Sequence, residues 1–97
     1  MKYVNYIRYD GLSDEVSAIR PAHRQYLAEL AARGKIVASG PFSDFSGALF
    51  VYDAESLDEA QQLADNDPYV VAGVLKDRVV SEWTVLHAHP ALLTVTG

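Results

Sequence analysis

His23 is the residue of this sequence best suited to proton chemistry. Imidazole titrates near neutral pH, so it can both take and return a proton in water. His23, Tyr26, Leu27 and Leu30 follow the i, i+3, i+4, i+7 spacing of one helix face. The ring therefore points at a sheet or its edge. It is either a core histidine bonded to a backbone carbonyl or a general acid/base. Asp67 stands directly before Pro68, the pattern of a helix N-cap followed by proline at the first helical position. Capping does not exhaust it. An ionised carboxylate offers about four lone-pair sites, enough to cap an amide and also accept from an imidazole. A histidine backed by a carboxylate has its tautomer fixed and its imidazolium stabilised.

Ser39-Gly40-Pro41 adds a hydroxyl beside a glycine that lets backbone approach a ligand closely. No strained nucleophile elbow surrounds Ser39, so it is either a strand-end serine satisfied by backbone or a hydrogen-bond donor to substrate, and not a nucleophile. Arg20 precedes the expected helix and could meet an anionic group, although such an arginine is more often solvated. Tyr69 follows Pro68 and either lines a pocket or simply packs. His87 and His89 share one side of a strand end, but no third ligand stands near them, and no metal site is expected. Gly34, Gly40 and Gly47 are too dispersed for a phosphate-binding loop, and no cofactor is expected.

The elements that must position these residues read as follows. Tyr3 to Tyr9 is rich in aromatic and β-branched residues and reads as a strand. Gly11 to Ile19 reads as a loop with room for a short turn of helix. Pro21 suits the first position of a helix running to about Arg33, with Gly34 as its stop. Lys35 to Gly40 and Gly47 to Asp53 form two further strands joined by a loop at Pro41 to Ser46. Ser56 and Glu59 form a capping box before a second helix striped by Ala60, Leu63 and Ala64. Asp67-Pro68 starts one more turn, which Gly73 ends. Val74 to about Leu86 reads as the last strand, and His87 to Gly97 as a tail.

The order βαββαβ is that of the ferredoxin-like split unit, an α+β fold with a four-stranded antiparallel sheet and two helices on one face. Helices on one face leave the other bare. Yet the third strand is apolar on both sides, with Leu49 and Val51 opposite Ala48, Phe50 and Tyr52, and so is the fourth, with Val79, Trp83 and Val85 opposite Val80 and Leu86. Soluble proteins rarely expose such a patch, so a homodimer packed sheet to sheet is expected. The apolar segment Ala91-Leu92-Leu93-Thr94-Val95 would add an arm to that partner.

Composition narrows the function. The 97 residues suit one domain, expected over residues 1–87 with a tail over 88–97. No cysteine is present, which excludes disulfides, thiolate metal sites and cysteine nucleophiles. The formal net charge is -5, and the nearest approach to a basic cluster is Arg20 with Arg24. Nucleic acid and anionic membrane surfaces are therefore poor partners. Asn5, Arg8 and Asp10 interrupt any signal-peptide core and no long apolar run exists, so a cytoplasmic protein binding a small molecule is expected.

Arg20-Pro21-Ala22-His23, Ser39-Gly40-Pro41, Gly47-Ala48-Leu49, Glu55 to Ala60 and Asp65 to Val74 together resemble the YCII-related (YciI-like) family. Order and spacing agree from Tyr3 to about Leu86. The resemblance implies a ferredoxin-like dimer of the α/β-barrel kind. It also implies a site centred on a His–Asp dyad, carried here by His23 and Asp67, with Ser39 lining the same pocket. Relatives of this fold include enzymes that dehydrochlorinate or isomerise small cyclic or aromatic compounds. The function implied is thus cofactor-independent acid/base chemistry, elimination or isomerisation, on a small organic substrate. The alternatives are a ligand-binding or sensing module without turnover and a protein-assembly subunit.

Overall fold

A computed structural model of the chain describes residues 1–93. The elements are β1 (Lys2–Arg8), α1 (Asp14–Ala32), β2 (Ile36–Pro41), β3 (Gly47–Asp53), α2 (Leu57–Asp65), the single turn α3 (Pro68–Val71) and β4 (Asp77–Glu82). A 3-10 turn at Pro90–Leu93 follows. Thr94 and Val95 of the expected arm lie outside the described residues. The sheet order is β2-β3-β1-β4 with every neighbouring pair antiparallel, which is the ferredoxin-like arrangement.

Strand periodicity sorts the sheet into two faces. Tyr3, Asn5 and Ile7 of β1 with Tyr9 just beyond it, and Ala48, Phe50 and Tyr52 of β3, are buried. Val16 and Leu30 of α1 join them, as do Ala60, Leu63 and Ala64 of α2. The opposite face carries Val37, Leu49, Val79 and Trp83, all exposed in the single chain. No helix among the described residues is long and apolar enough to cross a membrane.

Helix α1 begins at Asp14, and the loop expected over Gly11 to Ile19 is mostly helix. Ser13 is the N-cap: its hydroxyl accepts from the Val16 amide at 3.2 Å, and Asp14 and Glu15 suit the positive end of the helix dipole. Pro21 therefore sits inside the helix, not at its start. Proline there leaves the carbonyl of Ser17 without its usual donor. Both residues are exposed, so water can solvate that carbonyl. The helix stops where expected, with Arg33 as C-cap and Gly34 at φ 72°, a left-handed conformation that glycine adopts without steric cost.

Two further boundaries differ from the sequence reading. β2 includes Pro41, tolerated because the strand lies at the sheet edge and proline need not donate there. β4 is shorter than expected because its one partner, β1, runs out. Glu82 pairs with Tyr3, and the Trp83 amide donates to the Lys2 carbonyl at 2.9 Å, one residue from the chain start. Before β4, Val74 and Leu75 pack against the core without joining the sheet. At α2 the Ser56 hydroxyl accepts from the Glu59 amide at 3.1 Å, but the Glu59 carboxylate is engaged by Lys35 Nζ at 2.6 Å, so only half of the capping box forms.

Replacing Ser13 with Ala should lower stability by about 1 kcal/mol through loss of the α1 cap. The check is the urea midpoint, and an unchanged midpoint would place the start of α1 elsewhere.

Candidate functional site

Seven residues were expected to gather around one site. Helix α1 supplies Arg20 and His23, with His23 one heptad from both Val16 and Leu30, the other buried residues of that helix. β2 supplies Ser39, Gly40 and Pro41. In the sheet register Ser39 lies opposite Phe50 and Pro41 opposite Ala48, so both share the helix-covered face. The α2–α3 junction supplies Asp67 and Tyr69, both buried.

The His23 Nδ1 and Asp67 Oδ1 atoms are 2.8 Å apart in a buried contact. The same oxygen accepts from the Tyr69 amide at 2.9 Å, so Asp67 caps α3 and holds the imidazole at once. With a carboxylate as acceptor, Nδ1 carries the proton of the neutral ring, and in that form Nε2 keeps its lone pair free. Among the described residues Nε2 has no protein partner, and it is not sealed in, since the one fully buried side-chain nitrogen or oxygen left unpartnered is Asn5 Oδ1. Tyr69 stacks on the imidazole at 3.9 Å between centroids, and Phe50 meets it edge-on at 5.8 Å. These contacts leave the ring little rotational freedom.

A cavity of about 570 Å³ opens on this ring, within the size range of small-ligand sites. Arg20, His23, Ser39, Gly40, Pro41 and Tyr69 all line it. Asp67 does not. It stands behind His23, out of the cavity and on the Nδ1 side of the ring. Tyr9, Arg24, Phe42 and Phe45 also line the cavity and were not expected there. Tyr9 continues the inward alternation of Tyr3, Asn5 and Ile7, and Arg24 lies one helical turn beyond Arg20, so both were readable once the elements were placed. Phe45 carried no such signal. Its φ of 64° is left-handed, unusual for an aromatic residue, and its place depends on how the loop folds.

The cavity mouth is stitched from two loops. The Tyr9 amide donates to the Ser46 carbonyl at 3.0 Å and the Gly11 amide to the Phe45 carbonyl at 2.8 Å. A Cβ at Gly11 would stand 2.8 Å from that carbonyl oxygen, so this close approach requires glycine. Arg20 Nη2 donates to the Gly11 carbonyl at 2.9 Å and pins its guanidinium at the rim. His89 Nδ1, of the His87–His89 pair, accepts from the Ala91 amide at 3.0 Å. No cluster of three or more His, Cys, Asp or Glu among the described residues could hold a metal ion.

The sequence model of the YCII-related domain matches residues 1–84. The chain belongs to the YCII-related family. Protein YciI of Escherichia coli is 37% identical to this family member over 86 residues, covering 76% of this chain and 87% of the relative. Uncharacterized protein YjpA of Bacillus subtilis is 36% identical over 61 residues, covering 63% and 71%. Among solved structures, 5-chloro-2-hydroxyhydroquinone dehydrochlorinase (TftG) of Burkholderia phenoliruptrix, in complex with 2,5-dihydroxybenzoquinone, is similar with a TM-score of 0.70 and 30% identity, covering 87% of this chain and 94% of its own. A YCII-related fold thus carries an elimination enzyme in that neighbour.

Beneath the dyad, Tyr52 is fully buried and its hydroxyl accepts from Asn5 Nδ2 at 2.9 Å. Burial pushes the Tyr52 phenol far above its ordinary value. The Asn5 hydrogen bond offsets part of this, and the charge of Asp67 adds to it. The folded chain therefore holds this proton more tightly than the unfolded chain. That contribution to stability is complete below about pH 10 and is lost as pH rises above it. Urea midpoints should fall between pH 9 and pH 11, and fall less steeply in Tyr52→Phe. Equal slopes in the two proteins would contradict this.

Proposed function

We propose that this YCII-related protein is a cofactor-independent enzyme that moves a proton on a small, planar organic substrate. The observation that carries the reading is the 2.8 Å His23–Asp67 contact, with the other imidazole nitrogen open to a cavity of about 570 Å³. In the proposed step, Nε2 takes a proton from a substrate C–H. In elimination the imidazolium later releases that proton to solvent, and the electron pair left behind becomes a double bond as a leaving group departs with its own bonding pair from the neighbouring carbon. In isomerisation the pair left behind shifts, and the imidazolium returns the proton to a different atom. Asp67 keeps the ring in the Nδ1–H tautomer and balances the imidazolium charge. The hydroxyl of Ser39 and the backbone of Gly40 and Pro41 meet polar groups of the substrate, while Tyr69 fixes the imidazole plane and closes the inner wall.

The dehydrochlorinase activity in the name of the similar TftG structure, and its quinone ligand, support elimination on a flat ring as the reaction class. A positioned acid/base contributes about 10²–10⁴-fold to rate. Against a panel of halogenated hydroquinones and halogenated hydroxybenzoates, His23→Ala should lower kcat/KM by that range. Asp67→Asn, which retains an oxygen to cap α3, should also lower kcat/KM. Turnover untouched by His23→Ala would end the acid/base reading, and a ligand bound and recovered unaltered would favour a sensing module.

We also propose that the chain works as a homodimer joined through the uncovered sheet face. Val79 is 53% exposed and Trp83 44%, beside Val37 and Leu49, an apolar surface soluble chains rarely leave open. Light scattering at micromolar concentration should give the mass of two chains, and Val79→Lys should shift it towards one. A single-chain mass for the unaltered protein would refute the dimer.

A further inference from the structure

The cavity lining is electrically one-sided. The chain carries a formal net charge of -5, yet Arg20 and Arg24 line the cavity and no aspartate or glutamate does. The two arginines are four residues apart on α1, where like charges repel. Neither takes part in an ion pair among the described residues, as is also true of Arg8, Arg33 and Lys76, but of these five only Arg20 and Arg24 line the cavity. Arg20 is held by a neutral carbonyl, that of Gly11, through Nη2, which leaves its other N–H donors free. Arg20 thus ties α1 to the loop with one donor, while its remaining donors and the whole Arg24 guanidinium stand beside His23 without a carboxylate partner among the described residues.

The remaining wall is aromatic. Tyr9, Phe42, Phe45, Phe50 and Tyr69 surround the space in front of the imidazole. Such faces and edges favour a flat conjugated ring over a flexible chain. Burial raises the Tyr9 phenol above its ordinary range and neighbouring Tyr69 adds to this, while Arg20 and Arg24 pull it back. Both cations are thus felt inside the aromatic box as well as at the rim.

We propose that the ligand of this cavity is an aromatic ring bearing a carboxylate, with the carboxylate held by Arg20 and Arg24 and the ring lying against the aromatic wall beside His23. The guanidinium fork matches a carboxylate in plane and charge, which a lone phenol or a neutral quinone does not. This inference rests on the proposed function for the site's identity and names its substrate class. Arg20 and Arg24 are then specificity-determining residues, and His23 remains the proton carrier.

The test compares matched pairs, benzoate with benzamide and 2-hydroxybenzoate with 2-hydroxybenzamide, by calorimetric titration of the full chain. Each acid should bind at least about tenfold more tightly than its amide. Arg24→Gln should remove most of that preference, and Arg24 is exposed and outside the core, so the variant should fold. Arg20→Gln should do the same, and added salt should weaken the acids alone. Amides that bind as well as acids, or acids that fail to bind, would overturn the proposal. The experiment involves no turnover: loss of the anion preference leaves the acid/base reading standing, whereas an intact preference with turnover indifferent to His23→Ala overturns that reading and leaves this one.

Discussion

The site depends on a hydrogen bond between two side chains 44 positions apart, His23 on α1 and Asp67 at the start of α3. Both groups are buried, and a buried polar group without a partner costs roughly 1–3 kcal/mol. Each satisfies the other. Asp67 also satisfies the Tyr69 amide, so one carboxylate oxygen ends a loop, starts a turn and sets an imidazole tautomer. The packing around it follows. Tyr69 is the second residue of α3, after Asp67 and Pro68, and its ring lies on the face of His23.

The fold supplies the distance between these groups. α1 lies across the sheet with His23 between Val16 and Leu30, so the ring cannot leave without opening the core. β2 and β3 turn Ser39 and Pro41 towards the same side. The loops at Tyr9–Gly11 and Phe45–Ser46 are tied by backbone bonds, and Arg20 fastens the helix to one of them. The resulting cavity has a fixed inner wall and a rim where exposed Phe45 meets buried Tyr9 and Gly11 and half-buried Arg20. Under the proposed function, such a site would hold a reacting ring still while one unshielded nitrogen moves its proton.

Much of this was legible in the residues. The 23-26-27-30 spacing placed His23 on the covered helix face, and Asp67-Pro68 marked a helix start, because both are local patterns. Their meeting was not local, and only the family resemblance pointed to it. The start of α1 was misread because Pro21 is a strong initiation signal, while Ser13-Asp14-Glu15, the working cap, is a weaker one. The end of β4 is set by where its one partner, β1, runs out, and the second half of the Ser56 capping box was lost to Lys35. Both are tertiary outcomes that no window of sequence contains. Phe45 is the clearest case. A left-handed aromatic at a cavity mouth follows from loop closure alone.

The central claim is that Asp67 holds His23 with its proton on Nδ1 and a bare Nε2 facing the cavity. Nitrogen-15 NMR of histidine-labelled protein reads that tautomer directly, above the pH at which the ring is protonated. The account requires an Nδ1–H signal for His23 and its loss or redistribution between the ring nitrogens in Asp67→Asn. A proton resident on Nε2, or a His23 spectrum blind to the loss of the Asp67 charge, would contradict it.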